Sequence, residues 1–300
     1  MKWQGVIPAI TTPFKPDYSV DADLLVKQVD ALVRAGCAGI VALGSLGEGG
    51  SLSFDEKKAV LRLCREALAG RAPLVAGVAA LTTADAIRLA ELGADAGCEG
   101  LMVLPPYVYR GDWRETRAHF DAVIGATPLP CMLYNNPIAY GTDVRPEQMV
   151  DLAVALPNFV AVKESSADVR RVTALRALLA DRLAILVGVD DLILEGIQAG
   201  AVGWVAGLAD ALPAESVRLF DLAAAGRVEE ARAIYDWFMP LLRLDTVPKF
   251  VQLIKLVQAR VGLGAETVRP PRLPLAGEER ERALALIGES LVRRPTGGSH

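Results

Sequence analysis

Histidine is almost missing from this chain. Its 300 residues include two, His119 and His300. That scarcity argues against a His-based metal site, and no metal or cofactor is expected. Cysteine is nearly as sparse. Cys37, Cys64, Cys98 and Cys131 stand singly in apolar stretches, without the paired spacing of a metal or redox motif, and read as buried free thiols of a reducing cytoplasm. Basic excess is absent too. The formal charge is −4, which argues against nucleic acid or an anionic membrane surface as the main partner. No window holds about 18 uninterrupted apolar residues, so no membrane span is expected. Met1-Lys2-Trp3-Gln4-Gly5 reads as entering a strand at once, so no signal peptide is expected. No residue repeat, low-complexity tract or long charge run stands out.

What the chain does have is apolar substance, 52% of its residues, enough for a sizeable core. Short β-branched runs alternate with amphipathic segments of helical length. The pattern predicts strands near Val6–Thr11, Gly39–Leu43, Leu74–Val78, Gly100–Leu104, Cys131–Asn135, Phe159–Lys163, Leu183–Gly188 and Val202–Ala206. Helix starts are marked by Ser53-Phe54-Asp55-Glu56, a capping box, by the related Asp112-Trp113-Arg114-Glu115, and by Pro146 in a first turn. Gly36 and Gly70 suit helix stops. Eight βα units within about 225 residues point to an α/β fold, a closed (β/α)₈ TIM barrel. An open doubly wound sheet would carry a glycine-rich phosphate turn after its first strand, and Thr11-Thr12-Pro13-Phe14 is not one. From about Arg227 the strand pattern stops. Val228–Leu244, Val247–Val261 and Glu278–Val292 read as helices, with a proline-containing linker at Gly262–Gly277. The expected division is a barrel over 1–225 carrying the active site and a C-terminal helical region over 226–300. The tail Pro295–His300 reads as partly appended sequence.

Lys163 is the most informative residue. It closes the apolar run Phe159-Val160-Ala161-Val162, a sequence that suits a buried parallel strand delivering an amine to its carboxyl end. A buried ammonium is costly unless paired. Desolvation lowers its pKa and makes it a nucleophile able to form a Schiff base. The competing reading is a lysine paired with a carboxylate. A barrel builds its active site at the carboxyl ends of its strands. Those ends read Thr11-Thr12, Gly44-Ser45-Leu46-Gly47-Glu48, Pro105-Pro106-Tyr107-Val108-Tyr109, Tyr134-Asn135-Asn136-Pro137, Lys163-Glu164-Ser165, Gly188-Val189-Asp190-Asp191 and Gly207. Gly44–Glu48 suits carboxylate binding through free backbone N–H groups, or is an ordinary βα loop. Tyr134 could move a proton beside the amine, or be a core phenol with its hydroxyl satisfied. Asp190-Asp191 reads as a helix cap and a first-turn charge. His119 suits a helix surface or a satisfied core position. Phe220, Trp237 and Phe238 fit helix core faces.

The eight strands, Gly44-Ser45-Leu46-Gly47-Glu48, Tyr134-Asn135-Asn136-Pro137, Val162-Lys163-Glu164-Ser165 and the C-terminal helices together resemble the dihydrodipicolinate synthase and N-acetylneuraminate lyase family. The resemblance implies a class I mechanism in which Lys163 forms the Schiff base and Tyr134 relays protons. Ser45 and the N–H groups of its loop would bind the substrate α-carboxylate. Lys163 and Tyr134 are thus the expected catalytic residues. Ser45, Leu46, Gly47, Thr12 and Gly188 are the expected binding residues. A homo-oligomer, dimer or tetramer, is also implied.

The chain departs from the synthases. Their second loop hydroxyl is here Leu46, the tyrosine given by a neighbouring subunit is Val108, and the arginine that grips the aldehyde substrate's carboxylate is Ala139. The first two departures predict that the synthase hydroxyl relay cannot form. The full combination is similar to a narrower branch, the Δ1-pyrroline-4-hydroxy-2-carboxylate deaminases, which implies a cyclic imine acid substrate opened to 2,5-dioxopentanoate and ammonia. Other readings are a pyruvate-dependent aldolase or synthase acting on a 2-oxo acid, a non-catalytic barrel that senses an oxo acid, and a metal-dependent aldolase. The last is disfavoured by the shortage of histidines and of clustered rim carboxylates.

Overall fold

The structure, a computed structural model, describes residues 1–295. His300 and the tail from 296 lie outside the described residues. The predicted apolar runs form eight strands: β1 Gly5–Val6, β2 Ile40–Ala42, β3 Leu74–Val78, β4 Gly100–Val103, β5 Cys131–Asn135, β6 Phe159–Glu164, β7 Ala184–Val187 and β8 Gly203–Trp204. All pair in parallel, in the order β1-β8-β7-β6-β5-β4-β3-β2. The stretch after β1 closes the ring. Ala9 bridges Val41, the Val41 amide donates to the Pro8 carbonyl at 2.8 Å, and the Ile10 amide donates to the Val41 carbonyl at 2.9 Å. The first strand is shorter than its apolar pattern suggested because Pro8 has no N–H to give to β2.

Strand alternation sorts the side chains. On β5, Met132 and Tyr134 point into the barrel while Cys131 and Leu133 point out. On β6, Ala161 points in and Val162 out. The barrel interior is filled by Ile7, Val41, Val75, Met102, Met132, Ala161, Leu186 and Val205, a packed core rather than a pore. The same two-residue period sends Lys163 inward, one step above Ala161 and beside Tyr134, its register partner on β5.

Local signals place the outer helices. Ser53 and Glu56 form the expected capping box for helix Phe54–Leu68, and Asp112 and Glu115 form one for Trp113–Gly125. Such a cap is worth about 1 kcal/mol. His119 is a satisfied core residue, its ring nitrogens 3.0 Å from the Thr83 hydroxyl and 3.3 Å from the Leu104 carbonyl oxygen. The four cysteines are free and buried, and burial pushes their thiols up.

Beyond β8, helix Val228–Leu242 runs into a tight turn at Arg243–Asp245. Helices Phe250–Arg260 and Gly277–Val292 follow. The first helix ends two residues before the Leu244 its pattern suggested, and the turn carries the chain back across the carboxyl end of the barrel. Helix Gly277–Val292 is fixed from the inside, with the Trp237 indole N–H donating to the Ser290 carbonyl at 2.8 Å. Among the described residues, no helix is long and apolar enough to cross a membrane.

Candidate active site

Two lysines are buried, and they differ in one respect. Lys255 donates to Glu48 Oε1 at 2.6 Å and to the Thr267 carbonyl at 2.8 Å. It is a structural ion pair with its charge compensated, and sequence inspection had not singled it out. Lys163, 6% exposed, makes no ion pair or hydrogen bond with any described residue. Its Nζ lies 4.2 Å from the centre of the Tyr134 ring. Desolvation lowers its pKa, against the attraction of Asp245, Tyr140 and Asp190. Removing water without supplying a partner favours the neutral, nucleophilic amine. The competing reading of Lys163 as one half of an ion pair therefore describes Lys255 instead.

Gly188 explains how the amine is held. A Cβ built there would fall 2.5 Å from Lys163 Cε and 2.6 Å from Cγ, and would overlap the Ser165 hydroxyl. The bare backbone at the end of β7 is thus one wall of the lysine's slot. Gly188→Ala is expected to slow Schiff-base formation by about 10²-fold, the cost of displacing a reacting group by roughly an ångström. Stopped-flow formation of the imine would measure it. An unchanged rate would show that the slot does not set the lysine's position.

The hydroxyls come from β2 and β5. Ser45 follows β2 in the glycine loop, and its Oγ makes a short contact with the Tyr140 hydroxyl. Tyr140 closes a single helical turn, Pro137–Tyr140, begun by Pro137 and capped by Asn136, whose side chain accepts from the Ala139 amide at 3.0 Å. The Tyr134 and Tyr140 rings meet edge to face with centroids 5.7 Å apart. A chain of hydroxyls from Ser45 through Tyr140 toward Tyr134 therefore exists. Where the synthases carry hydroxyls at the positions of Leu46 and Val108 this chain has none, and the Tyr140 hydroxyl of the same chain stands against Ser45. The Asn136 amide donates to the Tyr134 hydroxyl at 3.0 Å. Burial pushes the Tyr134 phenol up to about 12, with the Asn136 bond working the other way. Burial likewise raises Tyr140. Both phenols are held protonated and can donate.

These groups line a cavity of about 700 Å³ at the carboxyl end of the barrel, together with Leu46, Ala139, Gly188, Gly207, Asp245 and Arg272. Leu46 is buried against it and Ala139 faces it, while Val108 is 73% exposed and lies elsewhere on the rim. Thr12 and Gly47, expected as binding residues, are one layer back. The Thr12 hydroxyl donates to the Gly47 carbonyl at 2.7 Å, and both are buried behind the Ser45 loop, which they brace. Glu48 turns away into its pair with Lys255.

Asp190 is a correction. It caps no helix with its side chain. It is fully buried and accepts from the Trp204 indole at 2.9 Å, the Leu208 amide at 2.7 Å and the Gly207 amide at 3.2 Å, tying the end of β7 to that of β8. Burial pushes its carboxyl up to about 6 in spite of these bonds.

Sequence inspection missed Tyr140, Asp245 and Arg272. The first was hidden because Pro137–Tyr140 is too short for any helical period. The other two lie far from any strand end and reach the rim only through the C-terminal fold. Among the described residues, no group of three or more His, Cys, Asp or Glu side chains could hold a metal ion.

With this geometry in view, comparison with known proteins is specific. The dihydrodipicolinate synthetase family model matches residues 2–290. The 4-hydroxy-tetrahydrodipicolinate synthase of Methanothrix thermoacetophila is 33% identical over 277 residues, covering 92% of this chain and 93% of the relative. That of Xanthomonas axonopodis pv. citri is 35% identical over 299 residues, covering 97% and 96%. Among solved structures, the 4-hydroxy-tetrahydrodipicolinate synthase of Methylacidiphilum fumariolicum superposes with a TM-score of 0.92 at 30% identity, covering 97% of this chain and 98% of that one. The dihydrodipicolinate synthase of Acinetobacter baumannii, complexed with pyruvate, gives a TM-score of 0.91 at 30% identity, covering 96% and 99%.

Proposed function

The chain belongs to the dihydrodipicolinate synthetase family of class I Schiff-base lyases, and from that premise we propose that Lys163 attacks a cyclic imine acid, Δ1-pyrroline-4-hydroxy-2-carboxylate, and deaminates it to 2,5-dioxopentanoate. Proteins of this family act on small molecules and typically assemble as oligomers. The observation that carries the proposal is the unpaired, desolvated Lys163 amine beside Tyr134, in a cavity whose wall is apolar at Leu46 and Ala139.

The proposed sequence starts with the carboxylate on the N–H groups of the Ser45 loop and the Ser45 hydroxyl. Neutral Lys163 adds to C2. The ring nitrogen leaves C2 by exchange and remains on C5 as an amine, so the ring opens. Loss of the C4 hydroxyl as water and tautomerisation move the unsaturation to C5. Two hydrolyses then follow, one releasing ammonia from C5 and one freeing C2 from Lys163. One water is lost and two are consumed, so the net reaction takes up one water and gives one ammonia. The phenols of Tyr134 and Tyr140 donate and recover the protons of the tetrahedral steps.

The second reading is synthesis of 4-hydroxy-tetrahydrodipicolinate, the activity named in the relatives. Ala139 counts against it, since no arginine stands there to hold a second carboxylate in the bidentate way such recognition favours. Arg272 lines the cavity but is also drawn to Glu48, 3.8 Å away. The proposal expects ammonia release from hydroxypyrroline carboxylate to exceed condensation of pyruvate with aspartate semialdehyde by roughly 10²-fold or more, the range spanned by losing a proton path. Side-by-side assays of kcat/KM decide it, and comparable or reversed values would assign the chain to the synthases.

A further inference from the structure

Asp245 is an acid that the barrel itself does not supply. It ends the turn after helix Val228–Leu242, and its carboxylate hangs over the end of β8 into the cavity that holds Lys163. Gly207 makes the room. A Cβ there would lie 2.5 Å from Asp245 Cγ, 2.8 Å from Oδ2, and closer still to Oδ1. Among the described residues the Asp245 carboxylate takes no hydrogen bond and no ion pair. Asp190, also buried beside Lys163, spends its oxygens on Trp204, Gly207 and Leu208. Asp210 accepts from the Thr11 amide at 2.8 Å and does not line the cavity. Asp191 lines the rim but lies 3.5 Å from the Arg243 guanidinium. Asp245 alone of these four acids both faces the cavity and lacks a partner. It comes over β8, whereas the hydroxyls of Ser45, Tyr134 and Tyr140 come from β2 and β5. The site thus has a hydroxyl side and a carboxyl side, with the amine between them.

We propose that Asp245 is the catalytic base and acid of the elimination, taking the substrate's C3 proton and returning it to the departing C4 hydroxyl. The step rests on the deaminase reading and balances within the site. With C2 bound to Lys163 as the protonated imine, the carboxylate removes the C3 proton. The C3–H pair becomes C2=C3, and the C2=N pair moves to nitrogen. Protonated Asp245 then gives that proton to the C4 oxygen. The nitrogen pair restores C2=N, the C2=C3 pair becomes C3=C4, and the C4–O pair leaves in water. Asp245 ends as the carboxylate it was, and no oxidant, reductant or further acid enters. Burial and the neighbouring Asp190 hold its carboxyl well above the usual range, which strengthens it as a base toward carbon.

Asp245→Asn in the full chain tests the assignment by three readings. Borohydride trapping of pyruvate on Lys163 should persist, because the Gly188 slot is intact and losing the Asp245 charge, which favours the protonated amine, leaves Lys163 freer to add. Deuterium uptake into the pyruvate methyl group in D₂O, which needs the imine and a C3 base but no leaving group, should fall by about 10²-fold or more, as for loss of a positioned base. The adduct trapped from hydroxypyrroline carboxylate should keep the mass of the undehydrated, ring-opened compound. Asp245→Glu, which keeps a carboxyl group, should recover part of the exchange. Exchange near the unsubstituted rate in Asp245→Asn overturns the proposal. So does loss of pyruvate trapping, which would make Asp245 a support for Lys163. If the unsubstituted enzyme releases no ammonia from hydroxypyrroline carboxylate, the substrate proposal falls, while the pyruvate exchange still judges Asp245.

Discussion

Lys163→Ala is expected to abolish turnover and, with it, every covalent adduct that borohydride leaves on the enzyme. In the unsubstituted protein, reduction in the presence of pyruvate or of the cyclic imine should add the mass of the reduced ligand to the peptide containing Lys163, and to no other. The physical ground is the difference between the two buried amines. Lys255 is as inaccessible as Lys163, but its proton is fixed by Glu48 and a backbone carbonyl. Burial lowers the Lys255 pKa as well, but there the Glu48 carboxylate in direct contact works against the shift. Lys163 has been desolvated without that compensation, so it gives up its proton more readily than an exposed lysine. The pH profile carries the same information. Since burial lowers its pKa, kcat/KM should rise as pH increases through the Lys163 titration, with the midpoint below the ordinary ammonium value of 10.5. A midpoint at or above that value would contradict desolvation as the activating effect. An adduct surviving in Lys163→Ala would place the chemistry on another amine.

How far this site could be read from sequence depends on where each group sits. The strands were legible because parallel buried strands are short apolar runs. Lys163 was legible because it interrupts such a run at its carboxyl end, and Gly188 because it ends the next one. The Ser45 loop was legible as a glycine-rich turn, but the division of labour within it was not. Ser45 faces the cavity while Gly47 and Thr12 stand behind it, joined by a hydrogen bond across 35 residues. Tyr140 and Asp245 were illegible for a different reason. Neither lies at the end of a strand, and each depends on a turn of three or four residues, too short for hydrophobic periodicity to register. Glu48 shows the converse. It ends the loop read as carboxylate-binding, yet its own partner Lys255 lies 207 residues away, on a helix whose packing only the tertiary fold supplies.

Tyr134→Phe is expected to lower kcat by roughly 10²–10⁴-fold, the usual cost of removing a positioned proton donor, with a much smaller change in KM. The ring would remain, so the apolar layer above Met132 and the face over which the Lys163 amine sits should be preserved. What is lost is one hydroxyl proton, held on the phenol by burial up to about 12 and oriented by the Asn136 amide. Addition to the imine and later hydrolysis each pass through a tetrahedral carbon whose substituents must gain and lose protons beside Lys163. Among the described residues no histidine is placed to do it, since His119 is occupied by Thr83 and Leu104. Ser45→Ala should behave differently. In the proposed complex its hydroxyl contacts the carboxylate in both ground and transition states, so its loss should appear mainly in KM. One hydrogen bond to a charged group is worth about 1.5–3 kcal/mol. Tyr140→Phe separates the two roles, because Tyr140 touches Ser45 on one side and faces Tyr134 on the other. If the hydroxyl chain carries the proton, Tyr140→Phe should follow Tyr134→Phe in lowering kcat. If Tyr140 only braces Ser45, it should follow Ser45→Ala in raising KM. Steady-state kinetics of the three variants distinguish these outcomes. A near-normal kcat in Tyr134→Phe would route the proton through water or through Asp245 and remove Tyr134 from the chemistry.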